Sequence, residues 1–392
     1  MTAEGSSRRL ILILATGGFA STFSSRALEP LVGVVARDLS SSVETVALLS
    51  AAFTLPYAFI QPILGPVGDA LGKERVMKAC LLVLALSLAA SAAAPDTGTL
   101  FVLRVVSGAA AGGVIPLSLA LLGDRVPMAV RQVAISRFVV AIITGQLAGS
   151  SLAGFLAAGI GWRGVVALSM VITAASLAAT LMGFRGRTEA GAFDLSVAAE
   201  RYRGILADPR ARALFLLVFG EAVAVFGVFP YVAPLLESRG GGGPAEAGLA
   251  LAGFAIGGLA YSALVAWMLR NLGLRRMLAL GGILGAAALI VVGFAGHWTW
   301  DAAAMVVLGF GFYLLHNAFQ TQVTEVAPHA RASAVALHAF SFFVGQSLGV
   351  VAIGLGLRTL GQLPSLLLAA ALILTVGLVA AQVIGRTVKK AH

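Results

Sequence analysis

Twelve apolar runs, most of them about 20 residues or longer, are separated by short polar or turn-rich breaks along this 392-residue chain. Few folds accommodate such a pattern. A helix rising ~1.5 Å per residue needs ~20 residues to cross a hydrocarbon layer of ~30 Å. In lipid, only helices and closed barrels satisfy every backbone N–H and C=O. The runs are expected as helices at 10–36, 43–71, 74–94, 98–123, 132–159 and 163–185, then at 212–237, 245–270, 275–295, 300–324, 332–357 and 363–385. Hydrophobic residues make up 59% of the chain and charged residues 11%, too little charge for a soluble surface of this size. The fold class expected is an all-α membrane protein. The run after Arg8-Arg9 has features of a secretory leader, yet it stays apolar to about Val35 and reads as the first span.

A formal charge of +10 invites a nucleic-acid reading, and the positions of the charges argue against it. With the N-terminus placed in the cytoplasm, 21 of the 27 Lys and Arg fall on cytoplasmic ends and loops. Four fall outside, and Arg26 and Arg104 lie within spans. That asymmetry follows the positive-inside rule and puts both termini in the cytoplasm, in a multi-pass protein of the inner membrane. Cys80 has no second cysteine to pair with, and the five histidines lack metal-ligand spacing. No nucleophile elbow or phosphate-cradling loop is present. No cofactor, metal or enzymatic activity is expected.

An internal repeat of about 200 residues is visible. "GQLAG" at 145–149 returns as "GQSLG" at 345–349, "DRVP" at 124–127 as "EVAP" at 325–328, and "DALGKER" at 69–75 as "RNLGLRR" at 270–276; Gly108 matches Gly309. The expected organisation is two parallel six-helix bundles, 1–185 and 212–392, joined by a polar cytoplasmic linker, 186–211, that includes an amphipathic segment.

Gly65, Asp69, Gly72, Lys73 and Arg75 after the second run, with a degenerate copy at Gly273, Arg275 and Arg276, resemble the signature loop of the major facilitator superfamily. Arg104, Ser107 and Gly108 in the fourth run are similar to that family's arginine-and-glycine pattern. Gly145, Gly149 and Gly154 resemble the glycine pattern of its drug/sugar efflux, or drug:proton antiporter, branch, although Ser150 stands where that branch usually has proline. The resemblance implies the twelve-helix fold and a central cavity lined by the first, fourth, seventh and tenth spans. It also implies a conformational latch, in which Asp69 faces the start of the eleventh span near Arg331 while Lys73 and Arg75 pair with Asp124.

Ionisable residues inside spans cost ~2.5–3.5 kcal/mol each on insertion scales and are functional candidates by default. Arg26 and Glu29 share a helix face, as an internal pair or as substrate- or proton-handling groups. Arg104 is positioned to hold an anion, to depress the pKa of a nearby carboxylate during proton exchange, or to bond backbone carbonyls. Glu221 is the leading proton site, because burial in low dielectric disfavours a charged carboxylate. His316 and His338 read as neutral lining residues. Asn317 and Gln320 share the tenth span with His316, and Tyr57, Gln61 and Tyr231 are candidate cavity walls. Gln146 and Gln346 form a symmetric pair expected to bond between helices, and the fifth-span glycines are expected to allow close packing.

The function these readings support is a secondary transporter working by alternating access, with proton-coupled efflux of a small organic or amphiphilic compound. The alternative is uptake or facilitated transport of an organic anion held by Arg26 and Arg104. A non-transporting membrane sensor ranks below both. Expected partners are the small-molecule substrate, protons and the bilayer, with the protein acting as a monomer.

Overall fold

Described by the computed structural model are the backbones of residues 3–184, 195–327 and 330–387; the side chains of Asp69 and a few others in these ranges lie outside the description. The chain divides into two compact units, residues 1–199 and 200–392. Among the described residues there is no strand.

The first unit comprises α1 (Ala3–Arg26), a 3-10 turn (Glu29–Leu31), α2 (Val32–Asp38), α3 (Val43–Leu71), α4 (Lys73–Ala92), α5 (Thr97–Gly112), α6 (Val114–Arg125) and α7 (Met128–Gly183). Helix α8 (Leu195–Ala207) follows. The second unit holds α9 (Pro209–Phe226), a 3-10 turn (Phe229–Tyr231), α10 (Val232–Ser238), α11 (Pro244–Asn271), α12 (Gly273–Phe294), α13 (Trp298–Val326), α14 (Arg331–Thr359) and α15 (Gln362–Thr387). Among the described residues, eleven stretches are long and apolar enough to span a membrane. The longest, within α7, is interrupted at Gly161 (φ 66°, ψ 172°), so it supplies the fifth and sixth spans and brings the number to twelve.

Local chemistry sets the ends. Ser42 accepts from the Thr45 N–H at 3.1 Å to open α3, and Asp96 accepts from the Thr99 N–H at 2.8 Å to open α5, each satisfying a helix-start donor that would otherwise be orphaned. Gly72 (φ 93°) and Gly273 (φ 71°) make the turns between α3 and α4 and between α11 and α12, in a region where a Cβ is strained. These two glycines occupy equivalent places in the sequence repeat.

The units share a construction that continuous apolar runs do not reveal. The first and seventh spans, expected as unbroken helices, are each split by a 3-10 turn containing Pro30 or Pro230. Proline lacks the N–H that a continuing helix needs and disfavours helical backbone in the residue before it. The two prolines, like the turns that hold them, occupy matching places in the repeat. The fourth span is likewise divided at Gly113.

Glycines bring helices into backbone contact in both units. A Cβ on Gly108 would collide with the Phe53 carbonyl, and one on Gly309 with the Phe254 carbonyl. A Cβ on Gly145 would lie 2.6 Å from the Phe19 oxygen, and one on Gly149 would lie 2.7 Å from that of Phe23. Gly345 is packed as closely against Phe219, and a Cβ on Gly349 would lie 2.6 Å from the Val223 oxygen. Accordingly α1 packs most extensively on α7 and α3 on α5, whereas α9 packs on α14 and α11 on α13. Gly154 is buried.

Replacing Gly309 with Leu is expected to cost at least the ~1–3 kcal/mol of an overpacked core, seen as a lower unfolding temperature and a lost monodisperse peak in detergent. Gly123→Ala, where a Cβ meets nothing within 4 Å, is expected to leave stability unchanged or up to ~1 kcal/mol higher.

Candidate functional site

Ending α1 at Arg26 strips the carbonyls of its last turn of their usual i+4 donors. Arg104, on α5, supplies replacements. Its Nη1 donates to Ser24 O at 3.1 Å, its Nη2 to Ser25 O at 3.3 Å and its Nε to Leu49 O at 3.3 Å. The guanidinium carbon lies 4.2 Å from the centre of the Phe53 ring. Arg104 is 2% exposed. A cation at a helix C-terminus also meets the negative end of the helix dipole. Of the three roles open to Arg104 in the sequence, the geometry is that of the carbonyl-bonding one. Arg26 Nη1 bonds Glu29 Oε1 at 2.7 Å across the break, and both residues are buried. Tyr57 and Gln61 are buried on α3, where Tyr57 stacks on Phe53 with ring centres 6.2 Å apart.

The second unit places polar groups differently. Glu221, on α9, is fully buried, and its Oε2 lies 2.9 Å from His316 Nδ1, on α13. Among the described residues it has no Lys or Arg partner, and its Oε1 has no hydrogen-bond partner. One turn further along α13, Gln320 Nε2 lies 3.2 Å from His316 Nε2. The His316 ring stacks on Phe312 (centres 4.7 Å apart, planes 18° apart) and also packs on Phe342 at 4.9 Å and His338 at 5.3 Å. Asn317 Nδ2 donates to Tyr261 Oη at 3.0 Å. The glutamate is sealed in, the histidine side chain is 12% exposed, and Asn317 and Gln320 are exposed. Polar side chains in the middle of a span are costly against acyl chains, so this row marks a wetted face of the unit. The arrangement can hold a proton deep in the helix packing and connect it to that face.

Tyr231 is not available as a cavity wall. It is 1% exposed and donates its hydroxyl to Val350 O at 2.9 Å, tying the second unit's helix break to α14. Gln346 is buried with its Oε1 unpartnered among the described residues, whereas helix–helix bonding was expected; Gln146 is half-buried.

The charges after the second span take a different form from the expected network. Lys73 Nζ donates to Asp124 Oδ2 at 2.7 Å, Arg125 pairs with buried Glu74, and Arg75 is exposed and makes no ion pair among the described residues. Residues two apart on a helix point to different sides, so Lys73 and Arg75 do not share Asp124. Gly65 and Asp69 lie in the last part of α3, and what the Asp69 side chain meets is outside the described residues. Arg331 is exposed at the start of α14.

Two features escaped the sequence reading. His338 looked solitary, but α13 and α14 pack on each other and bring its ring to 5.3 Å from that of His316. Asp301, in the first turn of α13, is fully buried with its Oδ1 3.4 Å from Arg239, whose Nη1 also bonds Val292 O at 2.8 Å and Ala295 O at 2.6 Å.

Comparison with known proteins fits this architecture. The Major Facilitator Superfamily profile matches residues 14–350 and 214–390. The chain belongs to the major facilitator superfamily. This superfamily member is 24% identical over 359 residues (87% of this chain, 84% of the relative) to the uncharacterized MFS-type transporter YybF of Bacillus subtilis. It is 26% identical to YwfA of the same organism over 63% of this chain and 61% of that protein's length. The multidrug export protein EmrB of Escherichia coli matches at 24% identity over 45% of this chain and 35% of its own length. Among solved structures, a point mutant of the nucleoside transporter NupG superposes with a TM-score of 0.79 at 13% identity, covering 95% of this chain and 99% of NupG. A point mutant of the peptide transporter POT gives 0.77 at 14%, covering 98% of each chain. The protein is therefore a multi-pass membrane transporter of this superfamily.

Arg104→Ala would orphan two carbonyls at the end of α1 and remove a third bond, to Leu49 O within α3. At ~0.6–1.7 kcal/mol per bond within a membrane protein, the expected loss is about 2–5 kcal/mol, measured as reduced resistance to unfolding in mixed detergent micelles, with partial recovery in Arg104→Lys.

Proposed function

We propose that this transporter couples export of a small organic or amphiphilic compound to proton movement by alternating access, with Glu221 carrying the proton and His316 sharing it. The observation that carries the reading is the 2.9 Å contact between His316 and a fully buried carboxylate that has no cationic partner among the described residues. A charge in a low-dielectric interior is expensive unless paired, so a lone buried carboxyl beside an imidazole suits a group that binds and releases a proton. Glu29 is the weaker carrier, since Arg26 balances its charge. Efflux is favoured by the names of partial relatives, EmrB and a Lactococcus lactis multi-drug resistance efflux pump PmrA homolog, which is 29% identical over 45% of this chain.

The distribution of Lys and Arg supports cytoplasmic termini in an inner-membrane protein. The anion-uptake reading loses ground because Arg104 donates to three carbonyls and Arg26 to Glu29, leaving neither guanidinium aimed at a solute.

Inverted membrane vesicles energised by a pH gradient, screened with a panel of fluorescent amphiphiles, provide the test. Wild-type protein is expected to accumulate at least one compound only while the gradient stands. Glu221→Gln is expected to lose at least tenfold of that gradient-driven rate and to bind the compound equally well at all pH values. Wild-type gradient-driven transport in Glu221→Gln would exclude Glu221 as the proton site.

A further inference from the structure

We infer that Gln320 is a positioning residue: it fixes the tautomer of His316 and thereby links a solute on the wetted face of α13 to the proton on Glu221. The inference rests on the proposal that Glu221 holds the coupled proton. With the Gln320 amide nitrogen turned toward His316, the hydrogen-bond chain permits one arrangement. The Gln320 amide nitrogen can only donate, so His316 Nε2, 3.2 Å away, accepts. In a neutral imidazole the other nitrogen must then carry the hydrogen. That nitrogen, Nδ1, therefore donates to Glu221 Oε2 at 2.9 Å. Phe312 on one face and Phe342 packed at 4.9 Å hold the ring in place, so each nitrogen keeps a fixed address, one on a buried carboxylate and one on an exposed amide.

The polar groups around this chain leave Gln320 as the exposed end. Glu221 comes from α9. His338 comes from α14, with its buried Nε2 unpartnered among the described residues. Tyr261 of α11 is engaged by Asn317, and the ionisable residues of α12, Arg275 and Arg276, are confined to its first turn. The Gln320 amide nitrogen carries two hydrogens, so a solute that accepts the outer one holds that nitrogen toward His316 Nε2 and favours the Nδ1–H tautomer beside an ionised Glu221. When the solute leaves, the amide is free to turn its oxygen toward Nε2. Nε2 then binds a proton from water, and the imidazolium passes its Nδ1 hydrogen to Glu221 Oε2. The result is neutral His316 protonated on Nε2 and a neutral Glu221, with one proton taken from water. Solute binding restores the first arrangement and returns the proton to water. Solute binding and proton release are coupled through a side chain that need not itself titrate.

Full-length protein labelled with 15N-histidine in lipid nanodiscs tests this by solid-state NMR without any substrate. The His316 signals are assigned by their disappearance in His316→Asn. At neutral pH the wild type is expected to show a protonated Nδ1 and a bare Nε2. Gln320→Ala is expected to lose that pattern and gain protonated Nε2, and Gln320→Glu, whose carboxylate accepts from Nε2–H, is expected to do so more completely. Asn317→Ala, at the neighbouring exposed position, is expected to keep the wild-type tautomer. Protonated Nε2 in the wild type, or an unchanged tautomer in both Gln320 variants, overturns the inference. The result is independent of the vesicle assay: Glu221→Gln can retain coupling while the tautomer responds to Gln320, which refutes the proton site alone.

Discussion

Inside a hydrocarbon layer a polar atom without a protein partner has no water to turn to, and both units are organised by that constraint. Breaking the first span at Pro30 frees carbonyls that a straight helix would have used. Arg104 reaches these carbonyls from α5 and offsets the cost of the break, while Gly108 lets α5 lie against the Phe53 backbone of α3. The second unit has the same break and the same glycine crossing, with the Tyr231 hydroxyl tied to Val350 and aromatic rings filling the space.

The two copies are most informative where they differ. At an offset of 200, the ion pair Arg26–Glu29 is matched by Phe226 and Phe229, whose ring centres are 4.8 Å apart. Glu221 is matched by Ser21, which donates to the Ala111 carbonyl at 3.2 Å, and at an offset of 201 His316 is matched by Ile115. A shared helical scaffold thus carries a carboxylate–imidazole–amide chain in one unit and backbone-directed hydrogen bonds in the other. Nothing in the scaffold requires the chain, since its counterpart packs with serine and isoleucine. It persists against the cost of a buried charge, which is why the functional reading centres on Glu221 rather than on the more numerous charges of the first unit.

Much of the fold was legible because span length and repeat are direct consequences of bilayer thickness and duplication. The twelve runs, the turn glycines Gly72 and Gly273 and the ionisable residues within spans all stand out against an apolar background. What was not legible is partner choice. The guanidinium of Arg104 carries the same charge whether it faces an anion or a helix end, and only the break at Pro30 decides between them. Lys73 and Arg75 both looked able to reach Asp124 until helix geometry separated them. His338 acquires meaning only when α13 and α14 fold back on each other. Asp301 sits where a span begins, and sequence alone does not say that Arg239 buries it.

The central claim is that Glu221 exchanges a proton within the second unit. Infrared difference spectroscopy across a pH titration of the lipid-embedded protein tests this most directly, because a protonated carboxyl has a C=O stretch that a carboxylate lacks. A carboxylic band that grows as pH falls, persists to higher pH when Gln320 is exchanged for Ala and is absent from Glu221→Gln is the expected result. A pH-independent spectrum, or the same band surviving in Glu221→Gln, would contradict it.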